Sequence, residues 1–400
     1  MRELKSLALF GGVPRFPKPL FVGCPNRPPR AKPFARWRAM LERNWLTNDG
    51  PLVKEFEDRI CRIVGAKHCM ATCNATIGLE IAAKALELQG EVIVPSFTFV
   101  ATAHSLQWLG ISPVFCDIDP RTHNLDPDKV EALITPRTTG ILGVHVWGRP
   151  CAVEPLSRIA AAHRLTLMFD AAHGFGCSSQ GRMIGSFGAA EVFSFHATKF
   201  INAFEGGAIV TNDDRLAHKI RLMRNFGFVG YDRVASIGTN GKMSEASAAM
   251  GVSSLESLDD IVARNRSNYE QYCKSIDAIR GLEIVRYDER ERNNFQYIVI
   301  EVSENEFGLS RDELCEFLHL ENVMARRYFF PGCHQMEPYR SADDALAPDL
   351  PATLNLTERV MSLPTGLAVR EGAIRKIAEL IAAASKYRTD IRTRLAERRL

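Results

Sequence analysis

The feature that constrains this chain most is the alternation of short apolar strands and amphipathic helices between residue 34 and about residue 225. The stretch EVIVP has the pattern of a short buried strand. The stretch VEPLSRIAAAHR is typical of a helix, and the strand pattern LTLMFD follows it. Strands that alternate with helices predict a mostly parallel sheet covered by helices on both faces. We therefore assign the chain to the α/β class.

The pattern changes after residue 226. A polar, Gly-rich stretch leads into a long helical pattern over residues 243–276, which we expect to break near Gly251. Strand patterns (LEIV, NFQYIVIEV and VMARRYFF) then mix with helical ones such as RDELCEFLHL. This mixture indicates a smaller α+β domain. We accordingly predict three segments, which are an N-terminal arm (1–33), a large domain (34–255) and a small C-terminal domain (256–400).

The arm is rich in Gly and Pro over residues 11–33, which predicts an extended segment and not a packed element. Such a segment either lies across a neighbouring surface or forms a loose tail, and the sequence leaves both open. The apolar stretch before Gly11 is too short for a signal peptide, and no stretch reaches the roughly 18 apolar residues of a membrane span. We therefore expect a cytoplasmic protein without a membrane partner.

Composition narrows the classes of partner. With 46% hydrophobic residues, 24% charged residues and a net charge of +3, the chain is typical of a globular protein of two or three domains. The near-balanced charge argues against nucleic acid as a partner. Ten scattered cysteines form no C-x-x-C motif, which predicts buried free thiols in a reducing compartment and no metal site.

Candidate functional residues fall where the predicted strands end, the edge at which open α/β sheets bind ligands. Ala75 and Thr76 precede a helix, where free backbone N–H groups favour an anion, although this turn also suits a plain N-cap. Phe99 follows the strand 91–94 and is either a ring-stacking or a core aromatic residue. Asp170 ends another strand, where it either opposes a protonated ring nitrogen or serves as a helix cap or ion-pair partner.

The stretch FSFHATK contains Ser194 and ends at Lys199, 29 residues after Asp170, with a reversal at EGG behind it. A lone lysine on a loop is usually solvated, but here it follows an anion-binding turn, an aromatic residue and a carboxylate in order. Pyridoxal 5′-phosphate needs this set: a phosphate cradle, a ring stack, a partner for the ring nitrogen and an amine for its aldehyde. The combination favours this cofactor.

On a set of motifs that spans nearly the whole chain, the sequence resembles the nucleotide-sugar aminotransferases of the DegT/DnrJ/EryC/StrS family. The resemblance implies the aspartate aminotransferase (type I) fold, with a mostly parallel-stranded large domain and a smaller α+β C-terminal domain. The motifs are WLTNDGPLVKEFE, PSFTFVATA, DIDP, GVHVWGRPC, FDAAHGFG, FSFHATK, EGGAIVTND, GTNGKMSEASAAMG and MSLPTG.

The resemblance assigns a role to each candidate residue. Lys199 is implied as the lysine that binds the cofactor covalently, Asp170 as the partner of the pyridine nitrogen and Phe99 as the ring stacker. His173 stands where many relatives carry Gln, near the phenolic oxygen. Asn240 is implied to reach the cofactor phosphate of the neighbouring subunit, and therefore a homodimer with shared active sites. The implied phosphate ligands are Ala75, Thr76 and Ser194, and the implied substrate contacts are Lys242, Asn48 and His334.

Longer stretches of the sequence, including CNATIGL, FHATKFINAFEGG and FFPGCHQMEPYR, are similar to those of family members that aminate C4 of dTDP-4-keto-6-deoxyglucose in desosamine biosynthesis. The implied substrates are glutamate as amino donor and this dTDP-linked keto-sugar as acceptor. A 3-keto-sugar or a UDP-linked 4-keto-sugar stays open as the acceptor. The related sugar dehydratases carry histidine in place of the lysine, so Lys199 argues against that activity. A non-catalytic regulator of the same fold is the remaining alternative.

Overall fold

The computed structural model describes residues 4–340, 348–370 and 372–399 of the 400 residues. The ends of the predicted arm and of the predicted C-terminal domain, residues 1–3 and 400, lie outside the described residues, as do residues 341–347 and 371. None of the described helices is both long enough and apolar enough to cross a bilayer.

Strands and helices alternate through the first half of the described chain. The strands are β1 (Leu20–Phe21), β2 (His68–Thr72), β3 (Glu91–Pro95), β4 (Ser112–Cys116), β5 (Thr138–Val144), β6 (Thr166–Asp170), β7 (Ser178–Ser179), β8 (Arg182–Met183), β9 (Ala190–Ser194), β10 (Gly207–Thr211), β11 (Leu282–Ile284), β12 (Ile298–Val302), β13 (Val323–Met324) and β14 (Val360–Leu363). The helices are α1 (Ala31–Arg43), α2 (Pro51–Val64), α3 (Ala75–Ala85), α4 (Ala101–Gln107), α5 (Pro127–Val130), α6 (Val153–His163), α7 (Asp214–Arg224), α8 (Glu245–Leu255), α9 (Leu258–Ile276), α10 (Glu304–Phe307), α11 (Arg311–Leu320), α12 (Pro351–Arg359), α13 (Ala373–Lys386) and α14 (Arg388–Arg399).

A seven-stranded sheet of order β2-β10-β9-β6-β5-β3-β4 forms the centre of the large domain. The pairs β3–β4, β3–β5, β5–β6 and β6–β9 are parallel, whereas β10 runs antiparallel to both of its neighbours. The predicted mostly parallel sheet is therefore confirmed. Since parallel strands end at the same edge of a sheet, the segments after β3, β5, β6 and β9 lie side by side there.

Helices cover both faces of this sheet, because successive strand residues point to opposite sides. In β6, Phe169 packs into the core beneath α2, α6 and α8, and Met168 packs into the core beneath α3, α4 and α7.

Local sequence signals determine where the helices begin and end. Helix α2 begins with Pro51 at its first position and ends at Gly65, whose φ of 70° favours glycine. Helix α7 is capped by Asp213, which accepts a hydrogen bond from the Leu216 N–H at 2.9 Å.

A second, antiparallel sheet of order β11-β12-β14 has a separate core, built with α9, α11 and α13. The N-terminal segment packs onto this core: Leu7, Leu9 and Phe16 are buried in it, and β1 pairs in parallel with β13. Apart from β1, residues 11–30 form no regular element, but they are packed and not a free arm, since they cross the surface of their own chain and bury the Phe16 ring there.

Two local predictions are wrong. The pattern over 243–276 forms helices α8 and α9, but the break falls at residues 256–257 and Gly251 lies inside α8. A Cβ at Gly251 would lie 2.6 Å from the Phe56 ring, so this glycine permits close helix packing and does not end the helix. The pattern VMARRYFF is a strand only over Val323–Met324, since the Phe330 N–H donates to the Arg327 carbonyl and closes a turn.

Candidate active site

Lys199 lies in the loop between β9 and β10, at the carboxyl edge of the large sheet. Its backbone N–H donates to the His196 carbonyl at 2.8 Å, and its Nζ lies 3.4 Å from the Tyr297 hydroxyl. Burial lowers the pKa of the Lys199 amine to about 8, and the Asp170 carboxylate opposes this shift. A substantial fraction of the amine is therefore neutral near pH 8, the form that attacks a carbonyl group.

Asp170 ends β6 and is buried. Its carboxylate accepts hydrogen bonds from the Thr102 hydroxyl at 2.8 Å and from the Ala172 N–H at 3.0 Å. Burial raises the pKa of Asp170, while these two donors and the Lys199 charge oppose the shift. The Lys199 and His145 charges act on Asp170, but neither forms an ion pair with it within the described residues, so a cationic ring nitrogen would supply a direct partner.

His173 is buried beside Tyr297, with ring centroids 4.5 Å apart, and this places it in the same cluster as Lys199. Its Nδ1 accepts a hydrogen bond from the Trp147 backbone N–H at 3.2 Å. Burial and the nearby Lys199 charge hold the pKa of His173 well below its usual value. The ring is therefore neutral, and its other nitrogen is available to a bound group.

The first turn of α3 forms the candidate anion site. Asn74 caps the helix, because its side-chain oxygen accepts a hydrogen bond from the Ile77 N–H at 2.9 Å. Ala75 and Thr76 occupy the first two helical positions, where backbone N–H groups have no partner inside the helix. Both interpretations of this turn therefore apply together: it is an ordinary cap, and it presents free donors and a positive helix end to an anion.

A glycine brings Ser194 to this turn. Gly207 begins β10 and pairs in register with Ser194 of β9. A Cβ at Gly207 would lie only 2.6 Å from the Ala75 nitrogen and the Asn74 carbonyl oxygen. The absence of a side chain therefore lets β10 approach the helix N-terminus, and Ser194 lies on the same face as this contact, because residues paired across antiparallel strands share a face. The arrangement fits a phosphate.

Phe99 lies in the segment between β3 and α4, and its side chain is 58% exposed. It is thus not the core aromatic residue of this segment; Phe97 is, since it is fully buried against Trp147 and Phe329. An exposed ring at the edge where Asp170 and Lys199 meet can stack on a flat heterocycle. Together with the buried carboxylate, the amine and the anion turn, these residues fit pyridoxal phosphate.

The predicted substrate contacts Asn48 and Lys242, and Asn240, the predicted contact to the partner's cofactor phosphate, lie near β2, the edge strand of the large sheet. Asn240 is exposed in the segment that runs beside β2, where the Cys73 N–H donates to the Gly241 carbonyl at 2.8 Å. The Lys242 amine lies 4.6 Å from the centre of the Phe226 ring. Asn48 is exposed on a nearby turn, which Asp49 joins to Arg224 through an ion pair at 2.6 Å.

His334, the other predicted substrate contact, is buried and not on an open surface. Its Nδ1 lies 2.6 Å from the Ser96 hydroxyl, directly after β3, and its Nε2 has no hydrogen-bond partner within the described residues. Burial lowers the pKa of His334, and Asp117 opposes this shift. The residue is therefore placed at the correct edge of the sheet, but its contact with a substrate stays a prediction.

Sequence reasoning did not identify three residues of this cluster. Thr102 orients Asp170, Tyr297 contacts Lys199, and Trp147 contacts His173. Thr102 and Trp147 lie inside the motifs PSFTFVATA and GVHVWGRPC, which indicated their segments. Tyr297 directly precedes the distant strand β12, and nothing in its local sequence indicates that it reaches the lysine.

Comparison with known proteins gives consistent matches. Residues 30–382 match the model of the DegT/DnrJ/EryC1/StrS aminotransferase family. The chain is 39% identical to the dTDP-4-amino-4,6-dideoxy-D-glucose transaminase of Shigella dysenteriae, over 87% of this chain and 94% of that protein. The protein of the same name from Escherichia coli is 34% identical, over 91% and 98%. The solved structure of DesI, determined in the presence of its TDP-sugar product, is 49% identical with a TM-score of 0.94, over 98% and 100% of the two chains.

Proposed function

This chain belongs to the DegT/DnrJ/EryC1/StrS aminotransferase family, and we propose that it transfers the amino group of glutamate to C4 of dTDP-4-keto-6-deoxyglucose. The observation that carries the proposal is the 49% identity, over nearly the whole chain, with DesI, whose structure was solved in the presence of its TDP-sugar product. Two curated relatives named for the same 4-amino-4,6-dideoxy sugar support it. The product would be dTDP-4-amino-4,6-dideoxyglucose.

We propose pyridoxal 5′-phosphate as the cofactor. When bound, it supplies an aldehyde and an electron-withdrawing ring to the amino acid and the keto-sugar in turn. Ala75, Thr76 and Ser194 would hold the phosphate, and Phe99 would stack on the ring. Asp170 would keep the ring nitrogen protonated, since a buried carboxylate stabilises an adjacent cation strongly.

Lys199 is the group that moves the proton. Its amine, with a pKa lowered to about 8, accepts the proton that leaves the α-carbon of glutamate. In the second half of the cycle it returns a proton to C4 of the sugar. Because glutamate reacts and its keto acid leaves before the keto-sugar enters the same site, we expect ping-pong kinetics.

We further propose that the working unit is a homodimer with shared sites. Large apolar side chains are exposed on α1 and the turn after it, and again along the loop over residues 226–237, which ends beside Asn240. Exposed aromatic clusters of this kind are typical of subunit interfaces. A second copy of this chain would cover both and bring Asn240 to the partner's phosphate site. The exposed residues are Phe34, Leu41, Trp45, Leu46, Phe226, Phe228, Val229, Tyr231, Val234 and Ile237.

We place the enzyme in the cytoplasm, because all ten cysteines are free thiols. Free buried thiols are typical of a reducing compartment. Burial raises the pKa of Cys116, Cys177 and Cys333 to about 12, so these thiols are inert at neutral pH.

The substrate proposal is tested with purified protein, pyridoxal phosphate and glutamate. The acceptor panel contains dTDP-4-keto-6-deoxyglucose, its UDP-linked counterpart and the dTDP-linked 3-keto isomer. NMR of the product locates the new amine, and we expect it on C4 of the dTDP-linked sugar. Turnover only with a 3-keto or UDP-linked acceptor would contradict the proposed substrate. If glutamate bleaches the cofactor band but no acceptor of the panel is aminated, only the half-reaction with the amino donor is supported.

The matched control is Lys199→Ala, which keeps the phosphate and ring contacts but removes the amine. We expect it to bind the cofactor and to lose turnover. Borohydride reduction of the wild-type protein, followed by peptide mapping, is expected to label Lys199. A label on another lysine would contradict the assignment.

A further inference from the structure

Trp147, in the motif GVHVWGRPC, has a backbone conformation that large side chains rarely adopt. It follows β5, is fully buried and has φ of +63°. A residue without the freedom of glycine stays in this region only where its surroundings hold it there. The contacts around Trp147 therefore indicate why this backbone conformation is maintained.

Both nitrogens of Trp147 donate to histidines. Its backbone N–H donates to His173 Nδ1 at 3.2 Å, and its indole Nε1–H donates to His123 Nδ1 at 3.2 Å. Neither nitrogen can act as an acceptor. Each Nδ1 must therefore be without a proton, so each ring carries its single proton on Nε2.

Further contacts hold the carbonyl and the ring of Trp147, and the histidine that accepts from its indole N–H. His123 Nε2 lies 3.0 Å from a carboxylate oxygen of Glu301 on β12, which accepts the hydrogen bond from this proton-bearing nitrogen. The Trp147 carbonyl accepts a hydrogen bond from the Tyr287 hydroxyl at 3.2 Å. Its ring stacks on Phe329 at a centroid distance of 5.3 Å and an angle of 12°. These contacts fix the carbonyl, the ring and the indole N–H of Trp147, and its backbone N–H is therefore directed at His173.

His173 Nε2 has no hydrogen-bond partner within the described residues, and the ring contacts Tyr297, which in turn contacts Lys199. We propose that Trp147 is a positioning residue that fixes the Nε2–H tautomer of His173 and so makes His173 a hydrogen-bond donor to an acceptor oxygen of the group held at Lys199. This rests on the proposed function, in which that oxygen is the phenolic oxygen of pyridoxal phosphate. The lowered pKa of His173 agrees with a neutral ring.

The tautomer is tested first, in the protein without cofactor. Protein labelled with 15N in histidine gives ring-nitrogen resonances, and His173→Gln and His123→Gln assign two of them by loss of signal. We expect both Nδ1 atoms to be unprotonated and both Nε2 atoms to be protonated. Protonation of His173 at Nδ1, or at both nitrogens, overturns the proposal.

Trp147→Phe separates the two donors, because phenylalanine keeps an aromatic ring and the backbone N–H but lacks the indole N–H. We expect His173 to keep its tautomer and His123 to lose its fixed one. A change at His173 with none at His123 would contradict the proposed division of roles.

The consequence for the cofactor is tested with a matched pair of variants. In His173→Gln the amide oxygen can accept from the Trp147 N–H and the amide nitrogen can donate, whereas His173→Leu offers neither. We expect His173→Gln to bind pyridoxal phosphate within about threefold of wild type and to keep its visible band. We expect His173→Leu to bind about tenfold or more weakly, with a shifted band, as loss of a hydrogen bond to a charged oxygen implies.

Equal affinity and equal spectra in the two variants would show that His173 only fills space, and would overturn the donor role. The tautomer measurement does not depend on the cofactor. If the wild-type protein binds no pyridoxal phosphate, the proposed function fails, while the tautomer fixed by Trp147 is still measured.

Discussion

Replacing Lys199 by methionine should stabilise the protein without cofactor. The side chain of Lys199 is partly buried, and burial lowers its pKa from the usual 10.5 to about 8. A tenfold change in an acid dissociation constant corresponds to about 1.4 kcal/mol, so holding a charged amine here costs at most about 3.4 kcal/mol. Some solvent reaches the amine, which reduces the penalty to about 2–3 kcal/mol. Methionine has a similar length and no charge, so it avoids this cost.

The pH dependence gives the sign. The unfolded chain holds the Lys199 proton up to pH 10.5 and the folded chain only up to about pH 8, so the unfolded state binds more protons between these values. The free energy of unfolding of the wild type therefore rises relative to that of Lys199→Met as pH rises through this window. We expect the advantage of methionine to be constant below about pH 8 and to shrink steadily between about pH 8 and pH 10.

The assay is urea unfolding at pH 6, 7, 8, 9 and 10, at one protein concentration because association also stabilises. The control is Lys54→Met, at an exposed position on α2, which we expect to stay within about 0.5 kcal/mol of wild type throughout. Equal stability of Lys199→Met and wild type at pH 7, or a constant difference from pH 6 to pH 10, would show that the amine is fully solvated. That result would remove the physical basis for treating Lys199 as an activated amine.

Three further predictions concern the loaded enzyme. Asp170→Asn should slow the single-turnover reaction with glutamate by several orders of magnitude, because a neutral amide cannot keep the ring nitrogen protonated; a near wild-type rate would make Asp170 a structural residue. Gly207→Ala should weaken pyridoxal phosphate binding, measured by equilibrium dialysis, because the new Cβ would displace the turn at Asn74; unchanged affinity would contradict the phosphate site. Lys199→Ala and Asn240→Ala, each inactive alone, should partly restore activity when reassembled into hybrid dimers, since one site then has both groups; no recovery in verified hybrids would reject shared sites.

The sequence predicts the sheet and its ligand edge well, because both depend on local signals. Strand ends are marked by turn residues, so Asp170 and the loop with Lys199 could be placed at one edge from the sequence alone. The contacts of Tyr297 and Trp147 could not be predicted, although a motif indicated the segment of Trp147. Tyr297 belongs to the segment leading into β12, and only the packing of the second sheet brings it to the lysine.

Gly251 illustrates a prediction that is wrong because of a contact between distant helices. A glycine in a helical pattern locally favours a break, which is the basis for predicting one near Gly251. The actual constraint is the Phe56 ring of α2, which leaves no room for a Cβ in α8. A close approach between two helices that are distant in sequence cannot be inferred from one of them alone.

The pairing of Ser194 with Gly207 also has a kinetic consequence. These residues face each other across neighbouring, fully buried strands in the interior of the sheet, so the loop that carries Lys199 is anchored at both ends. In the proposed function the Lys199 amine would leave the aldehyde and return to it in every cycle. A loop fixed at both ends would keep the effective concentration of the amine at its target high, so that recapture would compete with loss of the cofactor to solvent.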